Sequence, residues 1–287
     1  MTPPNAMDLQ TLDPEEFGNR VDELFSSITR RMFEQNDFEG GCASVELKAI
    51  VSRSTEQPTI DAIGLIIDPP IKDRDSYNKA FVLFYNILSE LPVDTLKFHR
   101  PTLETFVENP EVPEGPAGES ASARWKNLRR EAKYLLRFMS DEGAVWVPED
   151  KFDSIALRSL QERVTSAEEM SVHVPGLLDW LADGNWPPYQ GCWKQLARFP
   201  EATIRPIGEL LQRERGDGGW IGNILQFVDE SVPMGRGWEE LRPSIEALAE
   251  EPKGDENDWE IASTAREMLD KFDAWLQERS GRMGSGS

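Results

Sequence analysis

Apolar residues recur along most of this chain at three- and four-residue spacing, the period of an α-helix with one face turned inward. Phe17, Val21, Leu24, Phe25 and Ile28 set the pattern first. Just before them stands Asp13-Pro14-Glu15-Glu16: a capping acid, a proline where its missing amide does no harm, then acids at the positive end of the helix. The spacing predicts a helix from there to about Gln35, after a lead-in at residues 1–12 with little apolar content. Two later stretches read in two ways. Val45, Leu47, Ala49 and Val51 alternate as in a strand, yet Ala43, Leu47, Ile50 and Val51 fit a helix; Ile60, Ile63, Gly64 and Ile67 also share one helical face. The helical reading is preferred for both because their surroundings are helical, with Pro69-Pro70 ending the second. A small β element in this N-terminal region is the alternative.

Phe81, Leu83, Phe84, Ile87 and Leu88 predict a largely buried helix, and another follows from Thr95 to Glu108. Asn109 to Ser122 is rich in Pro, Gly and Glu and reads as a linker. Beyond it, Trp125, Leu128, Ala132, Leu135, Leu136 and Met139 form one stripe of an amphipathic helix, and Lys126, Arg130, Lys133 and Arg137 form another. A helix over Asp150 to Ser166 is expected next. From Val174 onward, short helices alternate with Pro and Gly turns; one of them runs from Ala202 to Arg213 with Pro206 in its first turn. The predicted organisation is a lead-in at 1–12, a helical region at 13–108, a linker at 109–123, connecting helices at 124–170, a helical domain at 174–280 and an added Gly-Ser tail at 281–287. The fold class is all-α, with helix pairs stacked as in an α-solenoid.

Charge narrows the partners. The chain carries 52 acids against 31 bases, a net −21, and repels phosphate backbones, so nucleic acid is not an expected ligand. The excess is spread evenly, −10 over Val174 to Arg279 and −11 over the rest. It serves solubility or attracts a basic partner. No apolar stretch approaches the roughly 18 residues of a membrane span, and no basic start leads into an apolar run. Cys42 and Cys192 make no disulfide framework. A cytoplasmic protein is the expectation.

Leu177, Trp180, Leu181 and Asp183 give Leu-x-x-Trp-Leu-x-Asp, followed by Asn185-Trp186-Pro187, then Ile204-x-Pro206 with Leu211, then Trp220-Ile221, and a last helix ending Met268-Leu269. Over about Val174 to Leu269 this resembles the DUF5071 family, a HEAT-like helical domain. Pro188, and EEPKGDENDWE before the last helix, depart from the family's phrasing. The resemblance implies the fold and, through toxin-neighbourhood relatives, a binding or immunity role; it does not reach residues 1–170.

Candidate sites are few. Seven of the nine tryptophans lie between Trp180 and Trp275. They fill a core, or they line a pocket or patch. If Trp186 and Tyr189 face outward beside Trp193 and Trp220, they form a binding surface of hot-spot residue types. The basic strip Lys126, Arg130, Lys133 and Arg137 faces solvent or acidic surface of the same chain, or contacts an acidic ligand. His99 and His173 have no Cys or His at metal-ligand spacing, so neither metal nor cofactor is expected; His99 reads as a surface or capping residue. RGDGG, at 215–219, lacks the ending of a phosphate loop and reads as a helix stop. Two functions remain: a protein-binding module, adaptor or immunity-type, with a basic partner; or an enzyme using a Trp-lined helical pocket and carboxylates on a small apolar metabolite. An open acidic groove favours the first, a closed apolar cavity with one carboxylate of raised pKa the second.

Overall fold

A computed structural model describes residues 6–67, 73–108, 119–140 and 143–284. The chain divides into two compact units, 1–144 and 145–287. Among the described residues every regular element is a helix.

Unit 1 holds α1 (Ala6–Thr11), α2 (Pro14–Thr29), α3 (Phe38–Cys42), α4 (Val45–Ser52), α5 (Gln57–Ile67), α6 (Arg74–Leu83), α7 (Val93–Leu96), α8 (Arg100–Glu108) and α9 (Glu119–Ser140). The expected cap of α2 is formed: Asp13 accepts a hydrogen bond from the Glu16 amide at 3.0 Å, and Phe17, Val21, Leu24, Phe25 and Ile28 are buried. The helix continues as a π-helical turn, Arg30–Glu34, and α6 does the same through Phe84–Leu88. Within the lead-in, Ala6–Thr11 form α1, with Leu9 buried and its carbonyl accepting from Arg53 at 3.0 Å. A strand over 45–51 would have buried alternate residues. Instead Glu46, Leu47, Ala49 and Ile50 are buried, Val45 is exposed, and Ser44 caps the helix by accepting from the Leu47 amide at 3.2 Å. The predicted helix from Thr95 is divided into α7, a 3₁₀ turn at Lys97–His99 and α8. The Pro69-Pro70 stop and most of the Asn109–Ser122 linker lie outside the described residues.

α5 packs on α2, α6 and α8. It buries Thr59, Ile63 and Ile67, one residue per turn. Its approach to α2 depends on Gly18, where an added Cβ would lie 2.6 Å from the Pro58 side chain and 2.9 Å from its backbone.

Unit 2 holds α10 (Ser154–Arg163), α11 (Ala167–Ser171), α12 (Val174–Asp179), α13 (Tyr189–Ala197), α14 (Pro200–Arg213), α15 (Gly218–Ser231), α16 (Arg236–Glu250) and α17 (Ile261–Gly284). α14 starts two residues earlier than expected, on Pro200, so Pro206 lies inside the helix and not in its first turn. α10 starts after the expected Asp150 because Asp153 caps it, accepting from the Ala156 amide at 2.9 Å, and it ends at Arg163, before the expected Ser166. One apolar core, including Leu177, Leu196, Ile207, Phe227, Trp238 and Phe272, runs through the unit.

Candidate functional site

The tryptophan-rich corner of unit 2 is built from packed rings with paired indoles. Trp180 meets Trp186 edge-on, centroids 5.3 Å apart, and donates its indole N–H to the Pro148 carbonyl at 2.9 Å. Trp193 lies edge-on to Phe227 at 5.1 Å and beside Tyr189 at 5.9 Å. Trp220 donates to the Leu178 carbonyl at 3.2 Å, and Asn223 to the Leu181 carbonyl at 2.9 Å. Side chains of α15 thereby bond to carbonyls at the end of α12 and in the 3₁₀ turn Trp180–Ala182 that follows it. Tyr189 is buried, so it does not reach the surface as an outward patch would need. Trp186 is half-buried with Lys151 over its ring at 5.5 Å. Asn185 does not cap a helix: Asp183 is the acceptor, taking the Asn185 amide at 2.9 Å and its side chain at 3.0 Å.

Two further knots hold loops of this unit. Buried Asp153 also accepts from the Trp146 indole at 2.9 Å and the Glu149 amide at 3.2 Å, while burial pushes its carboxyl above the usual range. The RGDGG stop is tied by Glu256, which is fully buried. Its carboxylate accepts from Arg215 at 2.9 and 3.1 Å, from the Gly216 amide at 2.7 Å and from the Lys253 amide at 2.7 Å. Burial alone would raise this carboxyl; Arg215 and the two amides bring it below the usual range. Gly254, at φ +51°, presses on Gly216, whose carbonyl would lie 2.5 Å from any added Cβ.

The basic strip lies on α9 in unit 1. Lys126, Lys133 and Arg137 are exposed and Arg130 is half-buried, donating to Asn127 at 3.2 Å. On the opposite stripe Trp125, Leu128, Ala132, Leu135 and Met139 are buried and Leu136 half-buried. His99 is neither surface nor cap. It is fully buried, neither ring nitrogen has a hydrogen-bond partner, and burial lowers its pKa to about 4. Cys192, also buried, is pushed up to about 12 and is inert as a nucleophile at neutral pH.

Sequence reasoning missed two hollows in unit 1. A hollow of about 640 Å³ opens between α2, α5 and the start of α6, lined by Pro58, Ala62, Leu65 and Ile66 with Glu15, Asp22 and Asp61. A second, of about 450 Å³, opens on the other side of α5 against Pro101, Thr102 and Thr105 of α8. Leu65, 76% exposed, and Asp61 line both. Lys79, the one base in the first hollow's lining, is committed to Asp22 at 2.7 Å and Asp75 at 3.3 Å. The first hollow is therefore acidic at its rim and apolar at its floor. Its signal was present in the sequence: α5 carries Leu65 and Ile66 in addition to the apolar face through Ile63 and Ile67.

No helix among the described residues is long and apolar enough to cross a membrane. The comparisons with curated proteins and with solved structures give no match. Both hollows lie outside the one stretch that a family comparison identifies. Residues 146–269 match the family model described as Domain of unknown function (DUF5071), the family to which the Trp-Leu-x-Asp and Asn-Trp-Pro phrases pointed, now extended upstream to Trp146.

Proposed function

We propose that this chain is a protein-binding module, of adaptor or immunity type and acting in the cytoplasm, that takes a basic partner on the acidic groove of unit 1. The observation that carries this reading is the pair of open hollows beside Leu65, which share Asp61, with Glu15 and Asp22 lining the first. Leu65 stands exposed between the two hollows, where apolar side chains of a partner would meet it. The overall charge of −21 steers basic partners toward it. In unit 2, α14 packs on α16 and α15 on α17, each helix meeting the next but one. That order supports a HEAT-like stacking of helix pairs. The tryptophans that a catalytic pocket would need are engaged in packing and in indole hydrogen bonds, which favours binding over the enzymatic alternative.

The test is affinity capture from native cells with the wild-type chain and with Asp61→Lys in parallel. A protein retained by the first and lost by the second is expected. Identical captures from both, or a co-purifying metabolite in place of a protein, would overturn the reading.

A further inference from the structure

Resting on that reading, we infer that the groove's occupant is an amphipathic basic helix of a partner protein, laid across α5 with apolar side chains in both hollows and lysines or arginines over the acidic rim. The geometry of α5 sets the shape. Asp61 and Leu65 are four residues apart and so stack on one line of the helix, a ridge that both hollows share. On one side, Pro58, Ala62 and Ile66 repeat the same four-residue step along the first hollow's wall. On the other, Gly64 lines the second hollow, where a Cβ would meet the Thr102 hydroxyl at an ordinary contact distance of 3.7 Å. Hollows on both sides of a single ridge receive side chains from successive turns of a helix, whose residues i and i+3 or i+4 point to the same side.

The other common modes of peptide capture fit less well. Strand addition needs a sheet edge, and the described residues contain no strand. Polyproline recognition needs an aromatic-lined groove, and the residues lining both hollows include no aromatic ring. An amphipathic helix in a groove needs what is present: an apolar floor the length of a few turns and a charged rim. The rim chooses the sign. Asp61 is exposed and hydrogen-bonded only to the neutral Gln57 amide, at 2.7 Å. Glu15 is exposed, and Asp22 and Asp75 together outweigh Lys79 by one charge.

The probe is a labelled peptide of leucine and lysine, about 16 residues long and patterned as an amphipathic helix, titrated onto the full chain at about 0.15 M salt. We expect binding read by anisotropy, with amide shifts confined to α2, α5, α6 and α8. Leu65→Ser and Gly64→Leu should each weaken it about tenfold with the melting temperature unchanged for the first. Asp61→Lys is the independent control should Gly64→Leu fail to fold. Shifts spread over acidic surface in both units, or affinity indifferent to Leu65 and Asp61, would overturn the inference. So would self-association abolished by Leu65→Ser, which would make a second copy the occupant. A partner captured in an Asp61-dependent way beside a peptide that does not bind would reject the helix while leaving the binding function standing; loss of both rejects both.

Discussion

Lowering the pH should loosen unit 1, and His99 is a reason. Its ring is fully buried with neither nitrogen hydrogen-bonded. Burial holds its pKa at about 4, with the nearby Ser54 backbone drawing it back only in part. An unfolded chain protonates the same ring near its ordinary 6.5. The folded value is the lower of the two, so the unfolded state takes the proton first as pH falls. Stability is whole above about pH 6.5, declines between 6.5 and 4, and declines no further on this account below 4. The full difference corresponds to about 3 kcal/mol, of which about 2 is lost between pH 7 and pH 5. Among the described residues of unit 1, Asp73 and Lys79 are also shifted. Asp73 is held low by the Ser76 amide and acts only at lower pH, and Lys79 is raised and acts only far above. His173, whose pKa burial lowers, and Asp153 and Asp179, whose carboxyls burial raises, belong to unit 2. The assay is hydrogen exchange at the α8 amides, which reports unit 1 by itself, between pH 7 and 5 after correction for the intrinsic rate. His99→Leu supplies the control: it removes the unpaired nitrogens, should leave pH 7 stability equal or up to about 1 kcal/mol higher, and should flatten the pH dependence. Parallel curves for the wild type and His99→Leu would refute the assignment.

Three further changes test the packing described above. Glu256→Gln should destabilise unit 2 by about 2–4 kcal/mol by leaving Arg215 short of its counter-charge and one amide unmatched, read by urea unfolding; an unchanged midpoint would mean the RGDGG loop is held otherwise. Gly18→Ala should cost about 1–3 kcal/mol because its methyl group meets Pro58 backbone that cannot turn aside, and an increase in melting temperature would contradict the close approach of α2 and α5. Asp153→Ala should cost about 2–4 kcal/mol by removing a helix cap and the acceptor of the Trp146 indole, with Trp146 fluorescence shifting to the red; unchanged emission would show that the indole has another partner.

The elements that the sequence made plain were those whose local and tertiary demands agree. Asp13 through Ile28 carries cap, proline, acids and apolar period in one reading, and the structure follows it. Ser44 through Ser52 was ambiguous because apolar residues fit both spacings; the structure resolves it with a local cap, Ser44 accepting from the Leu47 amide, and with Val45 left exposed. The early start of α14 was hidden because Pro200 and Pro206 are each a plausible first-turn proline, and only one can be. His99 was unreadable for a related reason: KFHRP is polar in sequence, while the 3₁₀ turn that interrupts the expected helix rotates the ring inward. The three acceptors of Asp153, Asp183 and Glu256 were likewise lost among 52 acids, since nothing in one dimension tells which carboxylate meets backbone amides.

The same distinction bears on where recognition resides. In the tryptophan corner, the polar handles described are matched: the Trp180 indole to Pro148, the Trp220 indole to Leu178, the Asn223 amide to Leu181. Folding alone accounts for those residues. It does not account for α5, which would be as well packed with a polar residue at 65. Ile63 and Ile67 already fill its inner face, and covering Leu65 would recover about 2 kcal/mol that the isolated chain forgoes. Under the proposed binding role, the apolar side chain set between two hollows and among carboxylates contributes to a complex. Leu65→Ser separates these alternatives: a folding role predicts a lower melting temperature, and a binding role predicts an unchanged melting temperature with the partner lost.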